Sequence, residues 1–266
     1  MKRWSLVGLA VLCLGCVAYA AGAVQLRVSA KPGDTWSYRT TVTTNQTVHT
    51  PQGQQPMKAT MELSYRVVAK KRLPNGDMQM VMEPGIPTMT MNGQKMPSGQ
   101  NQTKPKPVPL VMSPNGKLRP ATANGSDQLA AMTSISGGLL PSKPVKVGDT
   151  WKLTQDLPVG GSKLRVTSTS KLISIKGGTA MISTAFSAPF PNQQNGPQMK
   201  GTIRGTVVQG VSLATGMQRS AVGDISGNGT MVVPAPPAQP GQPAGKPQTI
   251  KLDMRIHTAT RMVSGR

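Results

Sequence analysis

Cysteine is almost missing. The only two, Cys13 and Cys16, lie inside one apolar run near the amino terminus. A chain trimmed behind that run has no thiol, hence no disulfide, thiolate nucleophile or cysteine-ligated metal. Aromatic residues are 3% of the sequence. That is too few for the interfacial girdles of a membrane β-barrel or for the stacking platforms of a nucleic-acid binder. Histidine is limited to His49 and His257, short of the three or four ligands of a metal centre. Acids number 9 against 30 Lys and Arg. Asp224 and Asp253 are a pair that could meet across strands, but carboxylates this sparse do not suggest a hydrolase. No Gly-x-Ser-x-Gly elbow occurs. Ser168-Thr169-Ser170-Lys171 matches Ser-x-x-Lys, yet it falls in a β-rich run without its partner motifs. No apolar run reaches the roughly 20 residues that a membrane-spanning helix needs. The expectation is a protein that is not an enzyme, needs no cofactor and does not span a membrane.

What is present begins with an address. Met1-Lys2-Arg3-Trp4 precedes an apolar run from Leu6 to Val17 and then small residues. This is the pattern of a secretory signal over 1–20, cleaved after Ala20 or after Ala23. The protein is expected to be exported: periplasmic, held in the cell envelope, or secreted. Leu14-Gly15-Cys16 resembles the end of a bacterial lipobox, so a form lipidated at Cys16 is the alternative. The net charge of +21 attracts anions. Its cations are scattered, and neither they nor any module points to nucleic acid.

A hexapeptide repeat organises the rest. Lys31-Pro32-Gly33-Asp34-Thr35-Trp36 returns as Lys146-Val147-Gly148-Asp149-Thr150-Trp151. The Gly suits a turn position with positive φ, the Asp can bond its own turn, and the Trp starts a strand. Gly33, Asp34, Trp36, Gly148, Asp149 and Trp151 are therefore read as structural. After the first copy, Met61, Leu63, Tyr65 and Val67 alternate with more polar residues, as in a half-buried strand. Pro74-Asn75-Gly76-Asp77 turns the chain, and Met78, Met80 and Met82 alternate on the return. After the second copy, Leu164 to Ile175 is β-rich with a phase slip that suggests a bulge. Lys176-Gly177-Gly178-Thr179 turns it into a return strand from Ala180 to Phe186. Pro114-Asn115-Gly116-Lys117 and Ala214-Thr215-Gly216 read as matching hairpin tips. Ile203, Val207, Val211 and Leu213 share one face. Gly223 to Gly229 reads as a glycine-rich turn. The cleanest strand is the last, with Ile250, Leu252, Met254 and Ile256 on one side. One short helix, Gln128 to Ser134, is expected behind Ser126-Asp127.

The chain thus divides into a signal (1–20), a first β half (24–125), a helix and connector (126–144), and a second β half (145–266) with a Pro/Gln-rich loop (234–248). The fold is mainly antiparallel β, as two related sheets or half-barrels, because the connections are too short for parallel crossovers.

With the duplicated motif, and with Leu140-Pro141-Ser142-Lys143-Pro144-Val145 leading into its second copy, the chain resembles a bacterial secreted or lipoprotein-like family of unknown function. The resemblance brings no catalytic residues. Three functional readings follow from the residues. Met-lined faces suit an apolar or amphiphilic ligand such as a lipid. The positive field suits anionic envelope polymers. Met78, Met80, Met82, Met89 and Met91 carry thioethers that suit either the apolar ligand or Cu(I).

Overall fold

The computed structural model describes residues 22–50, 52–96, 105–121, 140–159, 162–190, 199–233 and 248–265. The predicted helix, the signal and Cys16 lie outside these residues. The described residues form thirteen strands. In the first half these are β1 (Thr35–Thr50), β2 (Gly53–Arg72), β3 (Met78–Pro84), β4 (Thr88–Met91), β5 (Gln94–Lys95), β6 (Val108–Met112) and β7 (Leu118–Pro120). The second half supplies β8 (Thr150–Val159), β9 (Ser162–Lys176), β10 (Thr179–Pro189), β11 (Met199–Ser212), β12 (Gln218–Val233) and β13 (Gln248–Gly265).

Instead of two separate sheets, they make one. Its order is β7-β6-β3-β2-β1-β13-β12-β11-β10-β9-β8, with β4 beside β2 and β5 beside β4. The chain starts in the middle, runs out to one edge, crosses to the other edge and winds back. Its first and last strands then pair antiparallel along most of their length.

The two copies of the hexapeptide are the same object twice. In each, the Asp carboxylate accepts from the Lys backbone N–H, Asp34 from Lys31 at 2.7 Å and Asp149 from Lys146 at 2.8 Å. Gly33 N–H donates to Ala69 O, and Gly148 N–H donates to Leu172 O. Ala69 and Leu172 return the bond to the carbonyls of Asp34 and Asp149. Both glycines have φ near +95° (93° and 98°), where a side chain is strained. One residue beyond those partners, each second strand skips a pairing, at Lys70 in β2 and at Ile173 in β9. The turn, the pairing and the bulge are all duplicated. Trp36 is fully buried, while Trp151 is half-buried against the same core.

The sheet is rolled. Val28 N–H donates to Pro114 O at the β6–β7 tip, and Ser29 N–H donates to Thr215 O at the β11–β12 tip. In a flat sheet those tips would stand roughly 25–30 Å apart, at 4.7–4.9 Å per strand. Two adjacent residues touch both, so this end is curled nearly shut. The strap 24–30 fills the gap, and Leu26, Val28 and Ala30 enter the core. Gly216 at the tip lies so close to Arg27 that a Cβ there would collide with its carbonyl.

One expectation is corrected. Gly223–Gly229 is the middle of β12, not a turn. Its glycines make room on the inner face. A Cβ at Gly227 or Gly229 would stand 3.0 Å from the ring of Phe190. This one ring takes the place of both missing side chains, as aromatics do beside strand glycines.

Candidate functional site: the inner face of the rolled sheet

Alternation along each strand sends one set of side chains inward and the other outward. At the closed end the inward set is a sealed core. Met78, Met80 and Met82 are at most 1% exposed and sit among Val67, Leu110 and Val211 in one cluster. Met80 and Met82 also line a small cavity of about 90 Å³ together with Tyr38, Tyr65, Met112, Gln209 and Met217. Its walls come from β2, β3 and β6 on one side and from β11 on the other, which independently requires the curl.

Tyr38 and Tyr65 stack at this level, with ring centroids 5.1 Å apart. Burial, then the nearby Tyr65, pushes the Tyr38 phenol far above its usual range. Burial raises Tyr65 as well, partly offset by a hydrogen bond with Thr40. The Tyr38 hydroxyl is buried without a partner, which normally costs 1–3 kcal/mol.

Towards the other end the inner face is only half-buried, and its apolar side chains share it with Thr40, Thr44 and Gln46 of β1 and Thr258 of β13. The apolar ones are Val42 of β1, Met61 and Leu63 of β2, Leu252, Met254 and Ile256 of β13, Ile225 of β12 and Ile203 of β11. Ile225 and Ile256 are direct cross-strand neighbours. Met91 and Met89 extend the face over Ala59 and Met61 through β4, and Met89 is 41% exposed. Of the five methionines singled out in the sequence, three are therefore core and two are rim. Every described element is a strand of this one sheet, so none of them covers the face as a second layer.

The outer face is polar. Here His257 Nδ1 meets Asp224 at 2.8 Å, and His49 Nε2 meets Asp253 at 2.9 Å. Asp224 and Asp253 do not pair with one another: Asp224 stands opposite His257, and Asp253 opposite Asn228. Among the described residues no group of three or more His, Cys, Asp or Glu could hold a metal ion. Among the described residues there is no helix long and apolar enough to cross a membrane.

A model described as "Family of unknown function (DUF6263)" matches residues 122–217, less than half of the chain. No curated protein matches. Among solved structures, one on lipid–protein interactions in lipovitellin superposes with a TM-score of 0.52 at 9% identity. The match covers 89% of this chain and 26% of that one, so the chain spans about a quarter of that protein. The likeness shows the fold. Two further structures superpose only loosely. A domain described as outer membrane lipoprotein-sorting from Vibrio parahaemolyticus has a TM-score of 0.16 at 8% identity, covering 86% of this chain and 84% of that one. The P. putida toluene transporter TodX has 0.14 at 9%, covering 88% and 91%. Neither carries a structural argument.

Proposed function

We propose that this is an extracytoplasmic, non-enzymatic carrier whose inner face holds the apolar chain of a lipid or similar amphiphile. The observation that carries the reading is the half-buried face that continues beyond the sealed core, with apolar side chains from β2, β13, β12 and β11 and, between them, Val42 beside the threonines of β1. A folded protein keeps few contiguous apolar surfaces of that kind without a use for them. The lipovitellin likeness supports it to the extent that a sheet of this shape belongs to a protein studied for its lipid contacts. The signal-like terminus supports an envelope or secreted location.

Magnitudes narrow the ligand. Each buried methylene contributes about 0.8 kcal/mol, against an association cost of at least about 4 kcal/mol. A micromolar complex then calls for an acyl chain of roughly 15 carbons. The cavity of about 90 Å³ is too small for such a chain, so the open inner face must take most of it. For copper, the three core methionines are enclosed by aliphatic neighbours, which suits packing better than metal exchange.

The test is binding of a fluorescent long-chain fatty acid to the mature protein and to the double variant Ile225→Glu/Ile256→Glu. Both positions are half-buried and outside the sealed core; because two carboxylates facing each other across strands destabilise a sheet, circular dichroism checks that the variant folds, and Ile203→Glu alone is measured beside it. The expected result is saturable uptake by the wild type and at least about tenfold weaker binding by the variant, because a carboxylate beside the chain must be desolvated. Absence of uptake by the folded wild type contradicts the reading.

A further inference from the structure

We infer that the outer face carries a binding site for a phosphate-type oxyanion, centred between Arg204 and Arg255. The sheet register places Lys58, Asn45, Arg255, Ser226, Arg204 and Ser187 in one unbroken row across six strands, β2-β1-β13-β12-β11-β10. The row contains three cations and three neutral hydrogen-bonding side chains, and no carboxylate. All but Lys58 line a groove of about 660 Å³ on this face.

The two arginines stand two strands apart, about 9–10 Å between backbones, with the Ser226 hydroxyl between them. Guanidinium forks leaning in from both sides would grip one tetrahedral oxyanion, each by two parallel N–H donors. The Ser226 hydroxyl and the Asn45 amide supply further donors. Neither arginine is in an ion pair: the pairs among the described residues are His49–Asp253, Arg66–Glu83, Arg119–Asp77, Arg165–Asp156 and His257–Asp224.

The nearest acids lie in the two flanking rows and are already engaged. Asp224 is held by His257. Asp253 is held by His49 and by the Asn228 amide. The groove thus has the positive row along one side and the His257–Asp224 pair along the other, so the one carboxylate among its lining residues is already engaged. The proposal does not depend on what the inner face binds.

The same chemistry is offered by a free phosphate and by the headgroup of an anionic phospholipid, and two arms separate them. One titrates the protein with inorganic phosphate and pyrophosphate at low ionic strength, read by calorimetry and by the amide resonances of Ser226 and Asn45. The other measures co-flotation with vesicles of phosphatidylglycerol in phosphatidylcholine, against phosphatidylcholine alone. The variants are Arg204→Gln/Arg255→Gln and, as a control of equal charge, Lys152→Gln/Lys171→Gln, whose exposed lysines lie outside the groove on β8 and β9. Circular dichroism checks both folds. The expected result is binding in at least one arm, weakened about tenfold or more in the arginine variant and within about twofold of wild type in the control, as loss of two charge-assisted contacts requires. Binding in the first arm assigns a soluble phosphate; binding in the second alone assigns a headgroup. Equal loss in both variants, no loss in the arginine variant, or no binding in either arm overturns the site.

Discussion

Tyr38 is the residue that most clearly sets local cost against architecture. Its ring fills the core beneath the strap, yet its hydroxyl has no partner. Tyr38→Phe keeps the ring and removes the orphan, so stability at neutral pH should stay level or rise by about 1 kcal/mol. The same residue sets an alkaline limit. Both Tyr38 and Tyr65 ionise above their usual range in the fold, while the unfolded chain releases those protons near pH 10. Stability is thus fully present below about pH 10 and falls as pH rises beyond it, by about 1.4 kcal/mol per pH unit for a fully buried tyrosine. Urea midpoints at pH 7 and pH 11 should show a smaller alkaline drop for Tyr38→Phe than for wild type. A drop of equal size would mean that Tyr38 ionises freely in the fold.

At the scale of elements, much of the β pattern was legible because it is local. The hairpins β2–β3 and β9–β10 announce themselves by alternation and by Asn75-Gly76 and Gly177-Gly178. The repeated hexapeptide marked equivalent turns, and the slip before Ile175 is the bulge at Ile173. Two elements were hidden for physical reasons. β1 places Thr40, Val42, Thr44 and Gln46 at successive inward positions, so polarity does not alternate with facing. In β12 the glycines at 223, 227 and 229 mimic a turn, because the side chains that fill their space, Phe190 among them, come from outside β12. The duplication makes a quantitative prediction. Gly148→Ala places a Cβ at φ 98° and should cost about 1–2 kcal/mol, and Gly33→Ala at φ 93° should cost a similar amount. Thermal or urea unfolding of both variants checks it; a large difference would show that the two turns are not doing equivalent jobs.

For the whole molecule, what no local pattern could reveal is register across the sheet. The pairing of β1 with β13 joins residues more than 200 apart in sequence, and it creates both faces described here. The inner apolar face collects alternate residues from five strands. The row from Lys58 to Ser187 likewise draws single residues from six, so neither appears as a motif. Closure also belongs to this scale. The strap ties two distant hairpin tips together and leaves the face free only at the other end. The account stands on that inner face being where an acyl chain lies. Methyl spectra of the mature protein with a spin-labelled long-chain fatty acid test this directly. The prediction is paramagnetic broadening of Ile203, Ile225, Met254 and Ile256, with the outward and exposed Val222, Val232 and Val263 unaffected. Broadening confined to those valines, or no broadening at all, would contradict it.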